Sequence, residues 1–262
     1  MTSTLDRILD GIRAGLPRLA ARREELEEAA RRRAPAADFA EALRRPEVAV
    51  IAELKRKSPS AGLIAPNLDP ASRARTYATA GAAALSVLTE VDHFGGAISD
   101  LEAVAAAVPL PLIRKDFIVH ELQIIEARAS GAAAVLLIVR ALKPATLKSL
   151  LGAAHRWGLE ALVEAHDERE VGLALGSGAT IIGINSRDLG DFSINSAKAW
   201  GLLNRLPSDV LAVAESGMKD VAAVQAAAEA GADAVLVGSA LSASADPAPL
   251  LAGMAGVPRR GR

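Results

Sequence analysis

From Glu47 onward the chain repeats one rhythm, and that rhythm limits the folds open to it. Short runs rich in Val, Ile and Leu occur at residues 48–54, 84–88, 110–113, 134–139, 161–163, 181–184, 210–213 and 234–237. Runs that stay apolar instead of alternating suit strands covered on both faces, as in a parallel sheet. Segments of helical character fill the intervals at 70–80, 98–107, 121–130, 144–157 and 220–230. Eight strands alternating with helices leave two choices, a closed barrel or a doubly wound open sheet. A weak internal repeat favours closure. Gly-Ala pairs at Gly81-Ala82, Gly131-Ala132, Gly178-Ala179 and Gly231-Ala232 precede the second, fourth, sixth and eighth strands, about 50 residues apart. Glycine there fits the left-handed position that stops a helix before the chain turns into a strand. Four such units imply a (βαβα)₄ plan. No Gly-x-Gly-x-x-Gly follows the first run, which removes the best argument for a dinucleotide fold. The expected architecture is α/β, a single (β/α)₈ TIM barrel, for which 262 residues suffice.

Residues 1–46 read differently, as a helical extension packed on a barrel of residues 47–262, one domain overall. Leu5, Ile8, Leu9 and Ile12 recur at helical spacing, and Pro17 is expected to begin a second helical segment ending at Arg33. Glu24, Glu25, Glu27 and Glu28 precede Arg31, Arg32 and Arg33, an order that suits the helix dipole and a solvated face. Asp38 is placed to cap a short helix through Arg44.

Charge and composition narrow the function. With 30 basic and 31 acidic side chains, no global field favours nucleic acid or an anionic membrane. Zero cysteines exclude disulfides, thiolate metal sites and cysteine nucleophiles, and fit a cytoplasmic protein. Four scattered histidines offer no metal-binding pattern, so no metal is expected.

In such a barrel the active site is built where strands end. The first strand ends in Glu53-Leu54-Lys55-Arg56-Lys57-Ser58-Pro59-Ser60 and the third in Arg114-Lys115-Asp116-Phe117. The fifth ends at Glu164, the sixth at Asn185-Ser186-Arg187-Asp188, the seventh at Glu215-Ser216-Gly217 and the eighth at Gly238-Ser239. Charges beside apolar strands are costly unless paired, so this convergence needs a reason. Lysines among glutamates shift each other's pKa values and can supply a proton donor and acceptor near neutrality. Glu53 and Lys55 lie two apart and share one side of an extended strand. Small residues after strands seven and eight let backbone N–H groups approach phosphate oxygens.

These segments resemble the indole-3-glycerol phosphate synthase family. The resemblance also covers Ser86-Val87-Leu88-Thr89-Glu90, Phe94-Gly95-Gly96, Leu136-Leu137-Ile138-Val139 and Ile182-Gly183-Ile184, in family order from residue 47 to about 242. It implies conversion of 1-(2-carboxyphenylamino)-1-deoxyribulose 5-phosphate to indole-3-glycerol phosphate, with loss of CO₂ and water and no cofactor. Carried over, Lys115 is the general acid at the substrate ketone. Glu164 and Lys55 handle later proton transfers, Glu53 and Glu215 tune the lysines, and Asn185 holds sugar hydroxyls. Arg187 holds a substrate anion or orders its loop. Ser58, Ser216, Gly217, Gly238 and Ser239 form a phosphate cradle, while Phe94, Phe117, Pro59, Leu136 and Leu189 line an anthranilate pocket. The partner so implied is a small sugar phosphate, and a monomer is expected.

Departures from the family pattern occur at His120-Glu121-Leu122-Gln123, at Ala97 and at Gly190-Asp191-Phe192. Lys57, His166 and Asp188 are assigned structural or loop-ordering roles, and His93 is read as an exposed loop residue. Alternatives are another phosphate-binding barrel enzyme, a copy of the synthase serving a specialised pathway, and a non-catalytic binding barrel. A phosphoribosylanthranilate isomerase would call for a Cys/Asp pair, and this chain has no cysteine.

Overall fold

A computed structural model of the chain describes residues 4–187 and 196–262. Eight parallel strands close into a barrel, each paired with its neighbour in sequence and the last with the first. They are β1 (Ala49–Leu54), β2 (Ala84–Leu88), β3 (Leu112–Lys115), β4 (Ala134–Ile138), β5 (Glu160–Ala165), β6 (Ile181–Asn185), β7 (Leu211–Glu215) and β8 (Ala234–Val237). The doubly wound alternative is thereby removed. Helices run between the strands, among them α4 (Pro70–Thr79), α5 (Ile98–Ala107), α6 (Glu121–Ala129), α7 (Pro144–Arg156) and α8 (Glu168–Ser177). Gly81, Gly131, Gly178 and Gly231 all have φ between 87° and 99°, as the Gly-Ala repeat requires.

Successive side chains alternate between two clusters, because a strand has a period of two. Val50, Ala52, Leu85, Val87, Val135, Leu137, Ile182 and Ile184 join one cluster with buried residues of the surrounding helices. Ala49, Ile51, Ala84, Ile113, Ala134, Leu136, Leu162, Ile181, Leu211, Val213, Ala234 and Leu236 form the other, inside the barrel. Advancing each inward series by two residues toward the strand's C-terminal end gives Glu53, Ser86, Lys115, Glu164, Gly183, Asn185 and Glu215. The candidate site residues therefore continue the core's own periodicity.

Several strands overrun their apolar runs. The third covers Leu112–Lys115, where residues 110–113 were expected, and the fifth and seventh extend to Ala165 and Glu215. Pro111 has no N–H for a ladder, which delays the start of β3. Charged residues stay in the ladder at the far end because each finds a partner: Arg114 pairs with Asp116 and Glu126, and Lys115 with Glu164.

The extension differs from expectation at Pro17, which lies inside α1 (Thr4–Ala20) and does not begin α2 (Arg23–Arg32). Only the final turn of α1 follows Pro17, and Ala21 N–H still donates to its carbonyl at 3.1 Å, so the missing N–H interrupts little. The charged segment is solvated on one face only. Arg23 and Arg31 both pair with Glu27, whereas Leu26 and Ala30 are buried against Leu122 and Ile125 of α6. Asp38 caps α3 (Phe39–Ala42), accepting from Glu41 N–H at 2.9 Å. Phe39 and Leu43 join the inner cluster together with Ile8 and Leu9. No described helix is long and apolar enough to cross a membrane.

Candidate active site

The C-terminal ends of the strands surround an open cleft at the mouth of the barrel. Glu53, Lys55, Ser58, Pro59, Phe94, Lys115, Phe117, Leu136, Glu164, Asn185, Arg187, Glu215, Ser216 and Ser239 all line it. A second hollow shares Glu53, Lys55, Arg187, Ser216, Leu236 and Ser239 with the first and adds Gly217 and Gly238. Of the residues singled out in the sequence, Leu189 lies outside the described residues, as do Asp188 and Gly190-Asp191-Phe192.

The electrostatic centre is a chain of ion pairs. Lys55 Nζ lies 2.6 Å from Glu53 Oε1, and Ser86 Oγ donates to Glu53 Oε2 at 3.1 Å. Lys115 Nζ lies 3.3 Å from Glu164 Oε2 and 3.6 Å from Glu215 Oε2. The three carboxyls are each 2% exposed, against 17% for Lys55 and 14% for Lys115. Three buried carboxyls facing two ammoniums cannot all ionise cheaply, so their affinities for protons separate. Burial raises Glu164, but Lys115, His166 and the Asn185 amide outweigh it and hold this carboxyl down at about 2. Burial and the neighbouring Glu164 charge push Glu215 well above the usual carboxylate range, despite Lys115. For Lys115 itself burial acts downward, yet Glu164, Glu215 and Glu53 carry it above its ordinary value. The site thus contains a firm carboxylate, a carboxyl whose proton affinity is raised and a charged ammonium within reach of one another.

Room for this group comes from a glycine. An added Cβ on Gly183 would run into Glu215 Oε1, so the absent side chain on β6 provides the space in which the β7 carboxyl sits. Gly238 does the same for Glu53 and Lys55.

Asn185 Oδ1 accepts from Ser216 Oγ at 2.8 Å and from Arg187 N–H at 3.0 Å, which orients its amide. The Ser216 hydroxyl is thus directed at Asn185, and its backbone takes φ 64°, followed by Gly217 at 78°. A left-handed serine is strained, and such strain gathers at functional positions. Arg187 Nη1 donates to Ser60 Oγ at 3.2 Å, linking the loop after β6 to the loop after β1.

The apolar wall is held from behind. Phe94 and Phe117 face each other with ring centroids 6.3 Å apart at 43°. Glu90 Oε2 accepts from the backbone N–H groups of His93 and Phe94 at 2.7 and 3.0 Å, and Asp116 Oδ1 accepts from Phe117 N–H at 2.8 Å.

Other expectations resolve individually. Lys57 Nζ donates to the Asp92 carbonyl at 2.6 Å, a loop-ordering contact. His93 is partly buried and paired with Glu90 at 2.9 Å, so it is not a free loop histidine. His120 and Gln123 cap α6: His120 Nδ1 accepts from Leu122 N–H, and Gln123 Oε1 accepts from His120 N–H, each at 3.1 Å. At Ala97 the N–H donates to Asp100 Oδ2 at 3.1 Å, so α5 starts without a hydroxyl there. Sequence reasoning gave no role to Ser60, Leu88, Glu90, Asp116, Ile138 or Leu236 in the cleft, or to Met218, Lys219 and Ala240 in the hollow. Leu88, Ile138 and Leu236 were available from the period-two rule, since each continues an inward series.

The family model for indole-3-glycerol phosphate synthase matches residues 5–252. The chain belongs to the indole-3-glycerol phosphate synthase family. A Streptomyces coelicolor protein named indole-3-glycerol phosphate synthase 2 is 49% identical over 232 residues, 88% of this chain and 90% of that protein. A Mycobacterium ulcerans protein named indole-3-glycerol phosphate synthase is 48% identical over 250 residues, covering 94% and 91%. Among solved structures, a 3-hexulose-6-phosphate synthase from Salmonella typhimurium superposes with a TM-score of 0.63 at 17% identity over 79% of this chain and 97% of the other. A thiamine phosphate pyrophosphorylase from Pyrococcus furiosus gives 0.60 at 13% over 80% and 94%. These two likenesses show the barrel and nothing further. Membership in the synthase family extends through the N-terminal helices, which the matched residues include.

Proposed function

We propose that the chain closes the indole ring of 1-(2-carboxyphenylamino)-1-deoxyribulose 5-phosphate, releasing CO₂ and water. The observation that carries the reading is the position of Lys115, an ammonium inside the barrel mouth, 3.3 Å from the Glu164 carboxylate and 3.6 Å from Glu215, whose carboxyl is raised above its ordinary range.

The Phe94 and Phe117 wall receives the carboxyphenyl ring, and the hollow beside Gly217, Gly238 and Ser239 receives the phosphate. Anchoring both ends places the ring carbon bearing the carboxylate against the ketone carbon. As that carbon attacks, the ketone electrons move to oxygen and Lys115 delivers a proton to it. The carboxylate leaves as CO₂, and its bonding pair restores the aromatic ring. Rearomatisation is the driving force, so no electron sink beyond the substrate is required. The hydroxyl then departs as water with a proton from an acid of the cluster, while the Glu164 carboxylate removes the proton whose loss forms the indole double bond. Lys55, paired with Glu53, assists this dehydration, and Asn185 and Arg187 hold the sugar chain and a substrate anion. We place the reaction in the cytoplasm and assign it to a monomer.

Mixing purified protein with this substrate and following the indole fluorescence tests the reading. Turnover that Lys115→Ala abolishes is expected. No turnover by folded wild-type protein would overturn the assignment.

A further inference from the structure

We propose that His166 is a positioning residue for Glu164, the last link in a buried relay from Arg140 through Glu170. This rests on the ring-closing reading for its kinetic consequences, though not for its geometry. His166 lies two residues beyond Glu164, just past the end of β5, and is 6% exposed. Its Nδ1 sits 3.0 Å from Glu170 Oε2, and its own backbone N–H donates to that same oxygen at 2.9 Å. Arg140 Nε donates to Glu170 Oε1 at 3.0 Å. Glu170 is fixed in turn at the first turn of α8, where its N–H donates to Asp167 Oδ1 at 2.9 Å.

The ring therefore has one edge clamped and the other directed. A carboxylate can only accept, so Nδ1 must donate to Glu170. That sets the ring plane and turns Nε2 toward Glu164 Oε1, 3.3 Å away. Nε2 is buried and has no aligned hydrogen-bond partner, so its approach to Glu164 is electrostatic. Glu164 thus has two attractors. Lys115 Nζ lies 3.3 Å from its Oε2, and His166 faces its Oε1. Asn185 and Glu215 each support the carboxylate by hydrogen bonding, and Glu164 in turn raises Glu215 on β7. As Lys115 gives up its proton, its pull on Glu164 weakens, and His166 remains to hold the base anionic and in place. Burial raises the Glu170 carboxyl, but His166 and Arg140 outweigh it and bring it below its ordinary value. This is the anionic anchor that a directed imidazole needs.

Two substitutions separate the edges of the ring. His166→Asn keeps an amide that can reach Glu170 but not Glu164, whereas His166→Gln extends a neutral donor toward Glu164. For His166→Asn we expect kcat to fall about tenfold with KM little changed, and the acid limb of kcat/KM against pH to rise by roughly one pH unit. His166→Gln should recover part of kcat and keep the raised acid limb, because a neutral amide restores a donor without the Coulombic attraction that lowers Glu164. Glu170→Gln should raise the acid limb in the same direction. Titration of the Glu164 side-chain carbon by ¹³C NMR in glutamate-labelled protein, assigned with Glu164→Gln, reads the same displacement without turnover. An upward move of that midpoint in His166→Asn supports the relay even if the wild-type protein fails to close the ring, in which case only the functional reading falls. An unmoved midpoint in folded His166→Asn and His166→Gln overturns the relay, whatever the wild-type activity.

Discussion

Lys115 Nζ lies 3.3 Å from Glu164 Oε2, and the two side chains come from strands that are not neighbours. β4 stands between β3 and β5, so the pair spans the interior of the barrel mouth. A surface pair on one element would be worth little. Here Glu164 is buried and Lys115 partly buried, and each shifts the other's ionisation.

Replacing Lys115 by Met keeps most of the volume and removes the acid. The expected loss is roughly 10²- to 10⁴-fold in kcat, the usual worth of a positioned proton donor. Substrate binding should change little, because the phosphate and aromatic contacts lie elsewhere. Steady-state kinetics with retained circular dichroism check this, and a kcat within threefold of wild type would remove Lys115 from the mechanism.

Glu215 predicts an opposition between stability and activity. Its folded pKa is raised above the ordinary 4.5, so the stability linked to its proton is complete below 4.5 and is lost as pH rises through the folded value. Glu164 runs the other way: its contribution is present above 4.5 and is lost as pH falls toward about 2. Glu215→Gln removes the first dependence and retains the second. Its gain over wild type should therefore grow from pH 5 to pH 8, reaching about 0.5–2 kcal/mol, while kcat falls. Urea titrations at several pH values measure the difference, and a gain that shrinks with pH would contradict the raised carboxyl.

Much of this arrangement was legible because a strand's period of two is strict. The residues that fill the barrel and those proposed to perform chemistry belong to the same inward series, so locating Ile51 and Ile113 also locates Glu53 and Lys115. The Gly-Ala repeat was legible for a similar reason, since only glycine takes the left-handed helix stop cheaply. Pro17 was misread because position alone does not distinguish the first turn of one helix from the last turn of another. His166 was read only as structural or loop-ordering, because its place beside Glu164 depends on Glu170 and Arg140, which only the folded barrel brings to it. Gly183 carried no signal either: its importance is the Glu215 side chain that occupies its empty space.

That empty space predicts a specific failure. In Gly183→Ala the added methyl would displace the Glu215 carboxyl, since the barrel backbone is held by ladders on both sides. Overpacking of this kind costs about 1–3 kcal/mol. Activity should suffer more than stability, because Glu215 and Lys115 would no longer keep their separation. Gly183→Ala combined with Glu215→Ala should regain the lost stability without regaining turnover. Denaturation midpoints and kcat for the single and double variants decide it, and additive stability losses would show that the two sites do not meet.

Arg114 lies on the same strand as Lys115 but faces the other way, and its removal should harm folding first. It is 5% exposed and reaches Asp116 Oδ2 at 3.1 Å, Glu126 Oε2 at 2.9 Å and the Gln123 carbonyl at 2.8 Å. Arg114→Met would leave two largely buried carboxylates without their cation. Breaking such a network from one side costs about 3–5 kcal/mol, because the remaining charges stay desolvated. Part of the loss should return in Arg114→Met/Asp116→Asn, where one stranded charge is neutralised. Asp116 also accepts from Phe117 N–H, so any folded Arg114→Met should show a raised KM through a displaced aromatic wall, with kcat less affected. Urea unfolding and steady-state kinetics on both variants measure these effects, and an Arg114→Met protein as stable as wild type would mean that the network contributes nothing net.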